Sequence, residues 1–506
     1  MKSKPNILLV LSDQERQRDW LPQGVHLPAR SRLIKDGIEF TNHYTHTSPC
    51  SPARASLFTG RYMEQHGVSE CSDDPANTQL PTDMPNLGHM LREVGYKTAF
   101  KGKWHLQPRS DPEMEKFGFS DWEGDDDAWK GAPGSGTAFD DPIADQSVNW
   151  LRANGSSLDP WFLTVSMVNP HDIMWFPIDQ RWWQEENPEY ATAAAEWLAS
   201  PPWLSGRSSL LDIPDFPAFG MEIDEWFSKL PENFHDDLYT KPEVHRRWSW
   251  EMLRFGKFGE MDRGDTQIWL RLLDYYVKLH ELNDLAMVKV FDALDEICAW
   301  DDTVIIFSSD HGDQCGSHGL RSKGPWNYQE TMRIPLYMKV PGKSSRGTKT
   351  SALTSHVDLA ATIAELAGVN INDNPNLVGE SLLPLLDDQD KKIRDYVLFS
   401  QRWPWYSGVE KTRYASSGIF DGRQKYCRYY GIGGGVAVGG EKLPGPMLFD
   451  RDANFEDHDH EWYDLQEDPY ELVNLANDRG RRNDLRSHFE HLLQVELTDY
   501  APIVFD

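Results

Sequence analysis

Cys50, Pro52 and Arg54 stand at alternate positions in the stretch SPCSPARASLFTGRY (48–62), in a chain that has only five cysteines. Pro52 suits the first turn of a helix, because its missing N–H would be unpaired there in any case. Ala53 to Thr59 are mostly compatible with a helix, and Gly60 can close its far end. Cys50 then lies at the helix entrance, where free N–H groups and the helix dipole favour negative charge. Arg54, about one turn further on, brings a fixed positive charge to the same end. A thiol so placed is reactive, and an oxygen anion held there is stabilised. A small buried cysteine filling a gap is the second reading of this residue, and spacing alone leaves both open.

Further groups able to do chemistry follow short apolar runs. NILLVLS (6–12) leads into Asp13 and Gln14, and YKTAF (96–100) into Lys101, Lys103 and His105. WFLTVSMV (161–168) leads into Asn169, Pro170 and His171, and TVIIFSS (303–309) into Asp310, His311 and Asp313. Continuous apolar runs of this length, with helical stretches between them, predict buried strands of a largely parallel α/β sheet. In open α/β sheets the ligand site lies outside the carboxyl ends of the strands. Four strands delivering polar groups at that end point to one shared site.

The intervening segments agree. Trp269, Leu272, Tyr276, Leu279, Leu282, Ala286, Val290, Ala293 and Ile297 recur every three or four residues, which predicts an amphipathic helix feeding the strand before Asp310. HVDLAATIAELAGV (356–369) predicts a second helix, ended by Gly368. Residues 172–265 are rich in Pro, Gly and acidic residues and hold eight of the 20 tryptophans. They read as an insertion beside the site. From about residue 386 the chain turns Gly-rich and aromatic, as in YYGIGGGVAVGG, before a final helix near 480–496. The expected organisation is therefore a catalytic α/β unit over 1–385, carrying the insertion, and a smaller subdomain with an antiparallel sheet over 386–506.

Composition narrows the partners. The 506 residues carry a formal charge of −29, which repels polyanions and disfavours nucleic acid, anionic membrane and long sulfated or phosphorylated polymers. A small anion can still enter a locally basic pocket. The amino terminus, MKSKPNILLVLSDQ, has too short an apolar run for a signal peptide, and no later stretch approaches a membrane span of about 20 residues. A cytoplasmic protein is expected. Cys50, Cys71, Cys298, Cys315 and Cys427 are odd in number, widely spaced and without a CxxC pair, which argues against a disulfide framework or a cysteine zinc site.

The stretch CSPARASLFTGR resembles the signature of type I sulfatases, C-x-P-x-R followed by T-G-R. The resemblance runs along most of the chain: NILLVLSDQ is similar to the family's first metal strand, GYKTAFKGKWHL to its G-K-W-H-L segment, and FLTVSMVNPH to its strand ending in histidine. SSDHGDQCGSHGL is similar to the second metal loop, KGPWNYQETMRIPL to the lysine segment, and EWYDLQEDPYELVNLA to the closing motif. The resemblance implies the alkaline phosphatase-like fold, with a large, mostly parallel mixed sheet flanked by helices and a smaller antiparallel sheet. It also implies that Cys50 is oxidised to Cα-formylglycine by a maturation enzyme that reads Pro52 and Arg54. The hydrated aldehyde then supplies a geminal diol.

The same resemblance assigns roles. Asp13, Gln14, Asp310 and His311, with modified Cys50, would hold one divalent cation; carboxylates suit Ca²⁺ or Mg²⁺, while His311 leans toward Mn²⁺. Arg54 and Lys103 would stabilise the diol, His105 would be the base that expels sulfate, and His171 and Lys323 would bind sulfate oxygens and help protonate the leaving alcohol. The commonest sulfatase pattern has aspartate where Gln14 stands and asparagine where His311 stands; both departures occur together in phosphonate monoester hydrolases. A capping amide is the second reading of Gln14. His318 either lines the pocket or caps a turn, and Arg321 reads as a surface charge or one supporting the site from behind. Trp175, Trp182, Trp183 and Trp203 form either a wall against the substrate or local core of the insertion. The expected activity is hydrolysis of a small sulfate monoester (aryl, sugar or choline-type), with phosphonate monoester or phosphodiester hydrolysis as the alternative and a non-enzymatic anion-binding protein as the third reading. A homo-oligomer stays open.

Overall fold

The computed structural model describes residues 4–72, 78–107, 113–123, 131, 133–189, 222–254, 259–343, 345–372, 374–402, 412–432 and 454–501. Trp203 and most of YYGIGGGVAVGG lie outside them.

The apolar runs do become strands: β1 (Asn6–Ser12), β3 (Lys97–Gly102), β4 (Trp161–Ser166) and β5 (Thr303–Ser309), with β2 (Ile38–Tyr44) between the first two in the chain. β1 pairs in parallel with β4 and with β5, and β3 in parallel with β4. Every residue of β1, β4 and β5 is buried, which is why these strands read as continuous apolar runs and not as alternation. Their period of two is still present, but it divides the core. Ile7, Leu9 and Leu11 face one apolar cluster with Phe58, Phe100 and Leu359, while Leu8 and Val10 face another with Leu163, Val165, Met287 and Phe291.

β6 (Arg333–Lys339), β7 (Thr348–Thr350) and β8 (Thr354–Ser355) complete an eight-stranded sheet of order β3-β4-β1-β5-β6-β2-β7, with β8 beside β2. β6 runs antiparallel to both β5 and β2, so the sheet is mixed. The four strands that lead into Asp13, Lys103, His171 and Asp310 are contiguous and parallel. Their carboxyl ends therefore open on one side of the sheet.

The long helix spans Thr266–Glu296, one residue short of the periodic stretch at its end, and Asp265 caps it by accepting from the amides of Gln267 and Ile268. The helix His356–Ala367 is closed by Gly368 at φ 86°, and Ser355 and Asp358 make a capping box at its start. β9 (Val397–Gln401), β10 (Arg413–Phe420), β11 (Gln424–Ile432) and β12 (Asp459–Asp464) form a separate antiparallel sheet of order β12-β11-β10-β9. The helix Arg482–Asp499 lays Leu485, Phe489 and Leu492 on Leu398, Tyr426 and Trp462 of that sheet. In the insertion, Trp175, Trp183 and Trp248 share an apolar cluster with Trp269, Tyr275 and Tyr276 of the long helix.

Behind the strand ends, the sheet, the helix Pro28–Asp36 and the long helix meet at a buried charge network. Arg30 binds Glu15 through Nε (3.0 Å) and Nη2 (2.5 Å) and Asp284 through Nη1 (2.9 Å). Burial lowers the hold of Arg30 on its proton, but Glu15 and Asp284 more than reverse this. Such a network is costly to break one-sidedly, because the partner charges stay buried. Arg30→Ala is expected to cost about 3–5 kcal/mol of stability, measured as a lowered midpoint of urea unfolding.

Candidate active site

Cys50 is the first residue of a ten-residue helix, Cys50–Thr59, with Pro49 at the N-cap and Gly60 closing it at φ 65°. The helix starts earlier than Pro52 suggests, which places Cys50 itself in the first turn. Every residue of this helix is buried. Its entrance faces the ends of β1 and β5. Cys50 Sγ lies 3.5 Å from Asp13 Oδ1 and 3.2 Å from His311 Nε2. His311 Nε2 is 4.0 Å from Asp13 Oδ1 and 3.9 Å from Asp310 Oδ1. One ligand atom from each of Asp13, Cys50, Asp310 and His311 lies within 4.8 Å of all the others.

These residues fit a divalent cation. Donors around one Ca²⁺ sit about 2.3–2.6 Å from it and hence roughly 3–4 Å from one another. His311 is also oriented as a ligand. Its Nδ1 lies 2.9 Å from the Gly312 carbonyl, so Nδ1 carries the hydrogen and Nε2 offers its lone pair to the cluster. Gln14 lies alongside at φ 69°, its backbone N–H on Asp310 Oδ1 at 3.0 Å. Its side chain joins two other groups: Nε2 donates to Asp313 Oδ2 and Oε1 accepts from Lys323 Nζ, each at 2.5 Å.

A set of buried cations surrounds the cluster. Arg54 Nε donates to Asp310 Oδ2 (2.9 Å) and Nη2 to Asp13 Oδ2 (3.1 Å), while Nη1 holds the Lys103 carbonyl and Ser166 Oγ, both at 2.8 Å. Lys103 Nζ is 2.7 Å from Asp13 Oδ2, and Lys323 Nζ is 3.4 Å from Cys50 Sγ. Burial by itself raises the Asp13 carboxyl, but Lys103, His171, Arg54 and Lys323 together hold it well below the usual carboxylate range. Burial pushes the His171 imidazole well down from its ordinary range, and Lys103 and Lys323 push it the same way, while Asp13 opposes them.

The remaining candidates divide. His171 is buried in the turn His171–Trp175 that follows β4. His105, at φ 61°, binds the signature helix through its carbonyl, which accepts Ser51 Oγ at 2.6 Å. His318 is buried, with Nδ1 on Asp236 Oδ2 at 2.8 Å and its ring stacked on Tyr328. Trp175 packs in the apolar cluster of the insertion and donates its Nε1–H to the Gly131 carbonyl at 3.0 Å. Arg321 is not at the surface. It is 3 % exposed, and its guanidinium donates to the Phe176 carbonyl (2.6 Å) and the Gly259 carbonyl (2.7 Å), clamping the insertion from beneath. Gln401 belongs to no motif but braces the site: its Oε1 accepts from the N–H and the hydroxyl of Ser48 (3.3 and 3.2 Å), and its Nε2 donates to the Trp326 carbonyl (3.4 Å). It ties the segment before Cys50 to the one after Lys323, and a polar residue closing the apolar strand VLFSQ is the only trace of this in the sequence.

The family model described as Sulfatase matches residues 5–369. The chain belongs to the sulfatase family. A second model, for the C-terminal part of N-sulphoglucosamine sulphohydrolase, matches residues 316–433 of this sulfatase. The chain is 26% identical to an N-acetylglucosamine-6-O-sulfatase of Bacteroides thetaiotaomicron, over 93% of its own length and 82% of the relative's. It is also 26% identical to a multifunctional alkaline phosphatase superfamily protein of Trinickia caryophylli, over 98% and 96% of the two chains. Its fold is similar to that of a phosphonate monoester hydrolase of Agrobacterium radiobacter, with a TM-score of 0.68 and 21% identity over 98% and 96% of the two chains. Among the described residues no helix of the sulfatase is long and apolar enough to cross a membrane.

A cation that binds this cluster stabilises the folded sulfatase by mass action, about 2.7 kcal/mol at a free concentration 100 times Kd. Scanning calorimetry with Ca²⁺, Mn²⁺ or Mg²⁺ against a chelator is expected to show a raised unfolding temperature, and Asp310→Ala to abolish the rise.

Proposed function

We propose that this sulfatase-family hydrolase cleaves a small sulfate monoester to an alcohol and inorganic sulfate, with Cys50 in its Cα-formylglycine form. The observation that carries the reading is the convergence on Cys50 of a buried carboxylate–histidine cluster and three cationic side chains. Asp13, Asp310 and His311 would hold one divalent cation, Ca²⁺ first and Mn²⁺ or Mg²⁺ as alternatives, together with the modified side chain, and Gln14 would join them through Oε1, which here accepts from Lys323 Nζ. When bound, the cation supplies Lewis-acid charge and the formylglycine supplies a geminal-diol nucleophile.

The chain's own residues do the rest. Displacement at sulfur spreads negative charge over the sulfate oxygens, and groups fixed in advance stabilise that charge without reorganising. Lys323 and His171 are the groups assigned to the sulfate oxygens, and Arg54 and Lys103 to the diol and its oxyanion; each is buried, so water screens them little. Lys323 Nζ, 3.4 Å from Cys50 Sγ, is placed to hold a proton for the departing alcohol oxygen, with His171 assisting that transfer. Arg54 keeps the two carboxylates oriented. His105 would be the base that takes up the proton as sulfate is released.

The named activity of the Bacteroides relative favours a sulfated sugar among the candidate esters, and aryl sulfates and choline sulfate complete the classes to be screened. The maturation enzyme is the one protein partner this reading requires. Gln14 and His311 favour a second reading, hydrolysis of phosphonate monoesters or phosphodiesters, whereas the Lys103 and His105 segment favours sulfate.

Mass spectrometry of the peptide around Cys50 is expected to show formylglycine after expression with a maturation enzyme. That material is expected to turn over an aryl sulfate faster than an aryl phosphonate. Phosphonate cleavage faster by orders of magnitude would reverse the ranking. Cys50→Ala is expected to lower kcat on both esters by at least about 10³-fold, read in the same assay.

A further inference from the structure

Two neighbouring positions of the long helix break its apolar face. Asn283 and Asp284 are both completely buried, in a stretch of the helix where Leu279, Ala286 and Met287 are buried too. A buried polar side chain in mid-helix costs free energy unless every hydrogen-bonding atom is used. Here the atoms are used in a particular way. Asn283 Oδ1 accepts from Arg30 Nη2 at 2.9 Å, and Asn283 Nδ2 donates to Asp140 Oδ2 at 3.0 Å. One amide thus reads a guanidinium on one side and a carboxylate on the other. Only a side chain with both a donor and an acceptor can do that.

Both ends of this contact lead to the site. Arg30 holds the carboxylate of Glu15, two residues after Asp13, and the Glu15 N–H donates to Ser309 Oγ at 2.9 Å, beside Asp310. Asp140, in the helix Ser135–Asn154, accepts from the N–H of Val168 at 2.6 Å and of Asn169 at 3.1 Å. Those amides open the turn that presents His171. Asp172 closes the clasp from the other side, accepting from the N–H groups of Gly136 (3.0 Å) and Thr137 (2.9 Å) at the start of the same helix. The two strand ends are joined by a short backbone bond from the Met167 N–H to the Leu11 carbonyl (2.8 Å), but the next link, from the Asp13 N–H to the Asn169 carbonyl, is long at 3.5 Å. Beyond the paired strands, the distance between the cation cluster and His171 is therefore held from behind as well, by side chains.

We propose that Asn283 and Asp140 are positioning residues: through Arg30 and Glu15 on one side and the Val168–Asn169 amides on the other, they set where His171 stands relative to Asp13. This rests on the proposed hydrolytic role of His171. Burial pushes the Asp140 carboxyl up to about 7 against the hydrogen bonds from Val168, Asn283 and Asn169, so the carboxylate that holds the turn depends on those bonds. Removing the Asn283 amide leaves Asp140 with one donor fewer and Arg30 with one acceptor fewer. The turn before His171 then loosens while the Cys50 helix stays as it is.

The test is a double-mutant cycle of Asn283→Ala and His171→Ala on formylglycine-containing protein, with Asn283→Ser in place of Asn283→Ala if the latter fails to fold. Asn283→Ala is expected to lower kcat by about 10–100-fold, the loss that a misplacement of about 1 Å brings. KM, formylglycine content and metal content are expected to hold. In the His171→Ala background the same change is expected to alter kcat less than about twofold, since both residues act through one position. Equal losses in both backgrounds, or an unchanged kcat, would overturn the proposal while leaving the hydrolytic reading intact. A crystal structure of the Asn283 variant with residues 168–172 unmoved would overturn it also. A wild-type enzyme inert toward sulfate and phosphonate esters would remove the hydrolytic reading, and this proposal with it.

Discussion

The site depends on how two buried carboxylates divide their oxygens. Asp13 turns Oδ1 toward Cys50 and His311 and Oδ2 toward Arg54 and Lys103. Asp310 likewise turns Oδ1 toward His311 and the Gln14 amide, and Oδ2 toward Arg54. Arg54 binds the rear oxygen of each, so one planar guanidinium fixes the rotation of both. A lysine there would supply charge without that fork. The front oxygens are left aimed at the same point as Cys50 Sγ and His311 Nε2. Two carboxylates this close would repel one another in a dry interior, and the Arg54 bridge is what makes their proximity tolerable.

The sheet converts this constraint into a position. β1 and β5 are adjacent and parallel, in register from Asn6 opposite Thr303 to Ser12 opposite Ser309, so Asp13 and Asp310 leave the sheet side by side. Arg54 can then reach both from the signature helix, and it also takes the Ser166 hydroxyl at the end of β4. The cluster is thus held by elements that the chain visits far apart, which makes it a property of the finished fold and not of any segment.

Much of this was legible in the sequence, for a physical reason. Strands buried on both faces leave unbroken apolar runs, and NILLVLS and TVIIFSS announce both their strands and the groups that follow them. The signature helix showed itself through Pro52 and Gly60. What was not legible depends on pairing between distant residues. RIPLYMK carries no mark that β6 runs against its neighbours, and nothing near Arg321 shows that the carbonyls of Phe176 and Gly259 will claim its guanidinium. Gln401 and Asn283 are the clearest cases: each works by bridging two groups that meet only in the folded chain, so its own neighbours in sequence are silent. A buried amide in an apolar stretch is the one local sign either of them leaves.

The overall charge of −29 and an anion-handling site are compatible because the two act over different ranges. Surface charges are screened over about 8 Å at physiological ionic strength, whereas Arg54, Lys103 and Lys323 are buried and act on Cys50 and its surroundings at contact distance. A long polyanion must lie along the acidic surface and meets that repulsion throughout its length. A small ester meets it only in approach, and at the strand ends finds three cations against two carboxylates, before any metal is counted. Net charge by itself therefore gives the proposed small ester an easier approach than a polymer, through a contribution that involves no residue of the pocket.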